Sequence, residues 1–180
     1  MMGSMRTLPP LPSWAPVLET PRLLLRLPVL ADFDAYAAFA ADPVASKHLG
    51  GVQSRAQAWR MLMATAGSWH MHGYSMFTVV DKATGTWAGR LGPWMPEGWP
   101  GTEVGWGIAP AFQGRGYAVE GARAAMDWAT KELGWTDIIH MIAPDNTASI
   151  RVAEKLGAKL LRKGQLPAPY DSVDVDMYGY

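Results

Sequence analysis

The sequence predicts an α/β fold built on one mixed, mostly antiparallel sheet of about six to seven strands, with helices on both faces. Segments with strand-like alternation and segments with helical spacing follow one another in the order β-α-α-β-β-β-α-β-α-β-β. Three consecutive strands in the middle favour an antiparallel meander. The strand–helix–strand unit that follows favours one parallel pair inside the same sheet.

The first half of the chain begins with a strand and two helices. The apolar run RLLLRL at residues 22–27 predicts the strand. Asp32 is a candidate N-cap for a helix to Ala40, which Pro43 ends. Ser54 is a candidate N-cap for a second helix that reaches about residue 70.

The remaining elements alternate between strands and helices, with turn residues between them. A D-K-A-T-G turn joins the two strands of a hairpin, and Gly157 is the expected stop of the last helix. Strands are predicted at residues 74–80, 86–91, 102–108, 136–143, 158–163 and 172–180. One helix is predicted to open at residues 113–118 and to run to 133, and another covers 144–156.

Composition limits the classes of function. The chain has 180 residues, with 16 Lys and Arg against 16 Asp and Glu, so its formal net charge is zero and no nucleic-acid partner is expected. It lacks Cys, which excludes disulfides and a cysteine nucleophile and fits a cytoplasmic location. No apolar run is long enough for a membrane span, and no His, Asp and Glu spacing predicts a metal site. One domain is expected over residues 20–180, after a flexible arm at 1–19.

A glycine-rich turn between a strand and a long helix is the most informative stretch. Residues 102–108 form the strand, and Q-G-R-G-Y-A at 113–118 opens the helix. The first N–H groups of a helix have no partner within it, and the helix dipole is positive at that end. The turn is therefore a candidate phosphate site, although its glycines could also serve only to turn the chain.

Three motifs resemble those of the GNAT N-acetyltransferases. Gln113, Gly116 and Ala118 match the Q/R-x-x-G-x-G/A loop that binds the pyrophosphate of acetyl-CoA in that family. P-D-N-T-A-S-I-R-V-A-E-K-L-G-A at residues 144–158 resembles its second signature. The opening T-P-R-L-L-L-R at 20–26 is similar to the branch of ribosomal-protein N-terminal acetyltransferases.

The resemblance implies the GNAT fold and an acetyl-CoA site. In this family the cosubstrate lies where two central parallel strands splay apart, here residues 102–108 and 136–143. Asn146 would bond the pantetheine arm, and N–H groups of Trp106, Gly107 and Ile108 would face the thioester carbonyl. The pyrophosphate would lie on backbone N–H groups of Gln113, Gly114, Arg115, Gly116, Tyr117 and Ala118, with the Arg115 side chain adding charge.

The resemblance also implies direct attack of an amine on the thioester. Glu103 is the candidate base for the amine proton, although it could be an exposed carboxylate at the start of a strand. Many relatives use a Tyr to assist the leaving thiolate, but that position is Ala153 here. Ser149 is the candidate in its stead, with Tyr117 and His140 as weaker alternatives.

The expected acceptor is a primary amine, on a protein N-terminus or a small molecule. Its site is predicted to be built from residues 47–51, 94–99 and 165–171. His70 and His72 could line this site or lie in solvent, the second being favoured. Two alternatives stay open, a non-catalytic acyl-CoA-binding module and a transferase for longer acyl groups. A homodimer is possible.

Overall fold

The computed structural model describes residues 13–168 and 170–180. It contains eight strands, five α-helices and two short 3-10 helices in the described part of the chain. The strands are β1 (Leu18–Glu19), β2 (Leu23–Arg26), β3 (Phe77–Asp81), β4 (Thr86–Trp94), β5 (Thr102–Ile108), β6 (Ile138–Ile142), β7 (Lys159–Gln165) and β8 (Asp174–Gly179). The helices are α1 (Phe33–Ala41), α2 (Pro43–Ser46), α3 (Arg55–His72), α4 (Tyr117–Leu133) and α5 (Thr147–Leu156).

All eight strands form one sheet in the order β1-β2-β3-β4-β5-β6-β8-β7. Every neighbouring pair is antiparallel except β5 and β6, which are parallel. The mixed α/β fold is thus confirmed, with more strands than the six to seven predicted. The additional strand is β1, because Leu18 and Glu19 pair with β2 instead of belonging to the expected arm. The rest of that arm up to residue 12 lies outside the described residues.

Helices cover both faces of the sheet, as predicted. Trp87 and Ala88 are adjacent in β4 and lie in different apolar clusters. Ala88 belongs to the cluster that includes Ala122 and Ala125 of α4, whereas Trp87 packs with residues of α1 and α3. None of the helices in the described residues is long and apolar enough to cross a membrane.

Ser54 and Gly157 are confirmed as helix-end residues. The Ser54 hydroxyl accepts a hydrogen bond from the Gln57 N–H, and Gly157 ends α5 in the left-handed conformation with φ of 99°. The prediction for Asp32 was wrong, because its side chain does not cap α1. Pro43 does follow α1, but it also begins the short helix α2, which the sequence analysis missed.

Asp32 instead anchors the start of α1 to the sheet. Its carboxylate is 5% exposed and accepts bonds from both terminal nitrogens of Arg26, each at 2.8 Å. The Val29 N–H at 2.9 Å and the Thr78 hydroxyl at 2.9 Å complete its partners. A buried charge is tolerated when it is paired and hydrogen-bonded in this way, so the group is fully used inside the fold.

Gly121 sets the close approach of α4 to the sheet. A Cβ atom built there would lie 2.5 Å from Leu91 Cδ2 and 3.4 Å from Leu23 Cδ1, and both leucines are fully buried. Gly67 in α3 is exposed, and a Cβ atom there would meet nothing within 4 Å. The two helical glycines therefore form a matched pair.

We expect Gly67→Ala to stabilise the protein by about 0.5–1 kcal/mol, because alanine favours a helix interior. Gly121→Ala should destabilise it by about 1–3 kcal/mol, because overpacking a filled core outweighs that gain. Chemical denaturation measures both free energies of unfolding. Equal stabilisation by the two substitutions would contradict the packing of α4 described above.

Candidate active site

The two parallel strands separate soon after they meet. They pair at Thr102 with Ile138 and at Glu103 with Ile139, and at no further position in the described residues. From His140 onward β6 pairs with β8, while β5 stays paired with β4 as far as Ile108. A V-shaped gap therefore opens between β5 and β6 beyond Glu103, which is the splayed arrangement implied by the motifs.

The backbone of β5 alternates between β4 and this gap. The N–H of Ala109 donates to the Ala88 carbonyl at 2.9 Å, so Gly107, two residues before Ala109, also faces β4. Of the three residues predicted to face a thioester carbonyl, Gly107 thus turns its N–H away from the gap. The residues whose backbone groups face the gap are Val104, Trp106 and Ile108.

Two of the backbone carbonyls of β5 that face the gap accept hydrogen bonds from side chains. His140 Nδ1 lies 2.7 Å from the Val104 carbonyl oxygen, and Gln113 Nε2 donates to the Ile108 carbonyl at 2.9 Å. Because a carbonyl only accepts, Nδ1 carries the imidazole proton. Burial lowers the pKa of His140 to about 4, so the ring is neutral at pH 7. The Trp106 backbone faces the gap between these two satisfied carbonyls.

The Glu103 side chain reaches from β5 across to the backbone of β6. Its Oε1 accepts the Met141 N–H of β6 at 3.1 Å, and its Oε2 accepts Trp99 Nε1 at 2.7 Å. The side chain is 7% exposed, so the alternative of an exposed strand-end carboxylate was wrong. Burial raises its pKa to about 7, against the opposing effects of these two donors and of the Arg90 charge. At neutral pH this carboxyl group can therefore both take up and release a proton.

A cavity of about 420 Å³ opens beside Glu103 and the gap. All five residues at 47–51 line it, as do Trp94 and Trp99. From the segment at 165–171, Leu166 and Tyr170 line it; residue 169 is not among the described residues. His70 and His72 are exposed at the end of α3 and do not line it.

Several lining residues escaped the sequence analysis. The largest omission is Arg90 in the middle of β4; Met61, Met76, Met141, Val173 and Val175 also line the cavity. A charged residue inside an otherwise apolar strand was the available signal for Arg90. The methionines and valines read as ordinary core residues in sequence, so nothing in their pattern distinguished them.

The glycine-rich turn presents its backbone at the start of α4. Gly114 and Gly116 have φ of 74° and 80°, a conformation that favours glycine, and no side chain caps the helix. The N–H groups of the first helical turn, from Tyr117 onward, have no partner inside the helix. Gln113 differs from expectation, because its N–H donates to the Pro110 carbonyl at 3.2 Å and its side chain holds β5.

A charged cluster fixes this turn to the start of the sheet. Glu120 accepts the Thr20 hydroxyl at 2.6 Å and the Arg22 N–H at 2.9 Å, and it pairs with the Arg22 guanidinium at 2.6 Å. Arg22 Nη1 also donates to the Arg115 carbonyl at 2.7 Å. The residues Thr20 and Arg22 of the opening motif therefore position the turn, while the Arg115 side chain stays exposed over the Phe112 ring.

The start of α5 borders the other side of the gap. Asn146 caps this helix by accepting the Ser149 N–H at 3.1 Å, which leaves its amide nitrogen available as a donor. The Ser149 hydroxyl accepts Trp106 Nε1 at 3.2 Å, which ties α5 to β5. Ala153 is fully buried beside Ile142 and Tyr178, so a larger side chain there would displace this cluster.

The alternatives to Ser149 differ in their surroundings. The Tyr117 hydroxyl donates to the Asp81 carboxylate at 2.7 Å, and this bond raises the pKa of Tyr117. Its hydroxyl is therefore committed to the core. His140 lines the cavity, with its Nε2 3.3 Å from the Tyr180 hydroxyl and its ring 4.8 Å from that of Trp106.

Comparison with known proteins identifies the family. The model of the acetyltransferase (GNAT) domain matches residues 22–159. The chain belongs to the GNAT acetyltransferase family. The uncharacterized protein YkkB of Bacillus subtilis (strain 168) is 32% identical over 151 residues, which cover 79% of this chain and 88% of that protein. This GNAT protein is thus an acyltransferase enzyme.

Solved structures agree with this family. An acetyltransferase from Agrobacterium tumefaciens str. C58 is 33% identical, with a TM-score of 0.80 over 92% of this chain and 94% of that one. RimL, a ribosomal L7/L12 alpha-N-protein acetyltransferase, shares the fold at 20% identity, with a TM-score of 0.75 over 97% and 99% of the two chains. RimL has also been solved in complex with coenzyme A.

The residues at the gap fit an acyl-CoA. Backbone N–H groups at the start of α4 suit a pyrophosphate, since they are directed outward and reinforced by the helix dipole. The gap-facing backbone of Trp106 offers a strand edge to the amides of a pantetheine arm. No cluster of three or more potential metal ligands occurs among the described residues.

Gly116 and Gly134 test the phosphate site as a matched pair, because they flank α4 at its two ends with φ of 80° and 68°. Alanine at either position should cost about 1–2 kcal/mol of stability. Only Gly116→Ala adds a Cβ atom beside the free N–H groups, 3.4 Å from Arg22 Nη2. We expect it to weaken acetyl-CoA binding about tenfold or more by calorimetry, with Gly134→Ala unchanged. Equal affinity of the two variants would contradict this site.

Proposed function

We propose that this protein transfers the acetyl group of acetyl-CoA to a primary amine by direct attack, with Glu103 as the general base. The observation that carries the proposal is the buried Glu103 carboxyl at the point where β5 and β6 separate, bordering the cavity. A base is needed because an alkyl amine is mostly protonated at neutral pH and cannot attack in that form. The acceptor is a protein N-terminus or a small molecule.

Acetyl-CoA would be held along the gap by the residues described above. Its pyrophosphate would bind the N–H groups of Gly114, Arg115, Gly116, Tyr117 and Ala118. Its pantetheine arm would bind the Asn146 amide nitrogen and the Trp106 backbone. When bound, it would supply an acetyl group on a thioester, whose carbonyl carbon is electrophilic and whose thiolate can leave. One gap-facing N–H group of β5, that of Trp106 or that of Ile108, would donate to the carbonyl oxygen, because the two lie about 7 Å apart along the strand.

Glu103 would remove the proton from the incoming amine. Its pKa of about 7 lies near working pH, where a base both exists as carboxylate and has a useful proton affinity. The bonds from Met141 and Trp99 orient the carboxylate, so it need not reorganise before it acts. Proton transfer of this kind contributes roughly 10²–10⁴-fold to a rate.

Ser149 would stabilise the leaving thiolate. Its hydroxyl already accepts the Trp106 indole N–H, which leaves the hydroxyl proton free to donate toward the gap. A serine hydroxyl is a weak acid, so its contribution is a hydrogen bond to developing negative charge. This role would replace that of the tyrosine, whose position is the fully buried Ala153.

Family membership argues against the non-catalytic binding module. The presence of both Glu103 and Ser149 beside the cavity supports catalysis as well. Transfer of a longer acyl group differs only in the shape of the acyl site, and turnover of a series of acyl-CoA lengths separates it from acetyl transfer. A cytoplasmic location and a homodimer remain predictions from the sequence.

The pH dependence of kcat/KM tests the role of Glu103. With the carboxylate taking a proton from the ammonium form of the substrate, kcat/KM should rise about tenfold per pH unit and level off above about 7. Glu103→Gln should lower kcat/KM about 10²-fold and remove the inflection near 7, since only amine already neutral in solution could react.

Glu97→Gln is the matched control, because Glu97 is exposed, lies in the same loop as Trp99 and does not line the cavity. It should keep the wild-type profile. Survival of the inflection near 7 in Glu103→Gln would assign that titration to another group and refute the proposal for Glu103.

A further inference from the structure

The cavity contains a cation without a hydrogen-bond partner. Arg90 lines it, and its guanidinium makes no hydrogen bond or ion pair with any other described residue. Its Nε is completely buried and unsatisfied. Leaving a buried charged donor unpaired costs free energy, and an anion placed against it removes that cost. The guanidinium fork matches a carboxylate in particular.

The other charges of the cavity are already engaged. Lys47 Nζ pairs with the Asp145 carboxylate at 2.8 Å, and His48 lies 3.5 Å from the same carboxylate. Glu103 accepts from Met141 and Trp99. Among the described residues, Arg90 is therefore the one cationic side chain lining the cavity that makes no hydrogen bond or ion pair, although its charge favours the ionised form of Glu103.

Arg90 and Glu103 lie on the same face of the sheet. Residues 103, 105 and 107 alternate onto one face of β5, and Arg90 is the β4 partner of Gly107. A Cβ atom at Gly105 would lie 3.1 Å from Met76 Cε, and one at Gly107 would lie 3.0 Å from Leu49 Cδ1. Met76 and Leu49 therefore lie directly over the two glycines, on the face of the sheet that carries both Glu103 and Arg90.

The surrounding walls are largely apolar. They include the side chains of Leu49, Met61, Met76, Trp94 and Leu166. Methionine adapts its shape to different apolar groups, and tryptophan offers a large flat surface. Such walls suit an apolar or aromatic side chain and would not compensate further charge.

We propose that the acceptor is a small amine that also carries a free carboxylate and an apolar side group, as in an apolar amino acid. This inference rests on the proposed function, with Glu103 taking the amine proton while Arg90 binds the carboxylate. The reaction forms an amide bond and breaks the thioester bond. Of the two protons that the ammonium nitrogen loses, one passes to Glu103 and the other to the leaving thiolate, which departs as the thiol of the coenzyme. A protein N-terminus fits less well, because its first residue has its carboxyl group in a peptide bond.

The test compares three forms of one apolar residue as acceptors in a thiol-release assay. These are free L-phenylalanine, L-phenylalanine amide and a tripeptide that begins with phenylalanine; L-leucine and L-methionine repeat the series. We expect kcat/KM for the free amino acid to exceed that for the amide and the tripeptide by about 10- to 100-fold, the effect of one charged hydrogen-bonded contact. The amine of the amide is less basic, so more of it is neutral at pH 7, and this bias works against the expected result.

Arg90→Met removes the charge while keeping the length of the side chain. It should reduce the ratio between free amino acid and amide to about threefold or less, and Arg90→Lys should retain part of it. Arg123→Met is the control, because Arg123 is exposed on α4 and does not line the cavity; its ratio should match wild type.

The outcomes distinguish this inference from the proposed function. A preference for the free amino acid that is lost in Arg90→Met supports the carboxylate site. A wild-type preference for the amide or tripeptide, or an unchanged ratio in Arg90→Met, overturns it while leaving amine acetylation intact. The wild-type series decides the matter even if Arg90→Met fails to fold. Failure of every primary amine to release thiol, in a protein that binds acetyl-CoA, overturns both.

Discussion

The gap between β5 and β6 depends on two side chains. Each forms a hydrogen bond with a backbone group that would otherwise pair with the neighbouring strand. Glu103 of β5 accepts the Met141 N–H of β6, and His140 of β6 donates to the Val104 carbonyl of β5. Buried backbone groups need hydrogen-bond partners, and these two side chains supply them where the parallel pair begins to separate. Glu103 thereby serves the fold and the proposed chemistry together. Burial raises the pKa of Glu103, and its bonds from Met141 and Trp99 oppose that effect.

The far end of the site is held by a different interaction. Glu120 near the start of α4 binds Thr20 and Arg22 just before β2, and Arg22 in turn holds the carbonyl of Arg115 in the turn. The turn thus keeps its shape through backbone and side-chain contacts that do not use the N–H groups directed outward. Charge at this end comes from the helix dipole and Arg115, whereas the acceptor cavity holds the unpaired Arg90.

Local sequence patterns predicted the parts of the structure that local physics determines. The strand, turn and helix around residues 102–133 and the cap at Ser54 follow from periodicity, glycine and capping chemistry, and the family motifs implied the splay. Asp32 was misread because its partner Arg26 reaches it only after β2 and α1 pack together. Arg90 was missed for the same reason, since facing a cavity depends on strand register. The burial of Glu103 likewise comes from tertiary packing, through the loop that carries Trp99.

The proposed chemistry requires that Glu103 is a buried carboxyl group able to exchange a proton at neutral pH. The most direct test is a carbon-13 NMR titration of the glutamate side-chain carboxyls, with Glu103→Gln to assign its resonance. We expect one glutamate carboxyl with a pKa of about 7, well above the ordinary glutamate pKa of about 4.3. A Glu103 resonance that titrates between about 4 and 5, as exposed glutamates do, would contradict it.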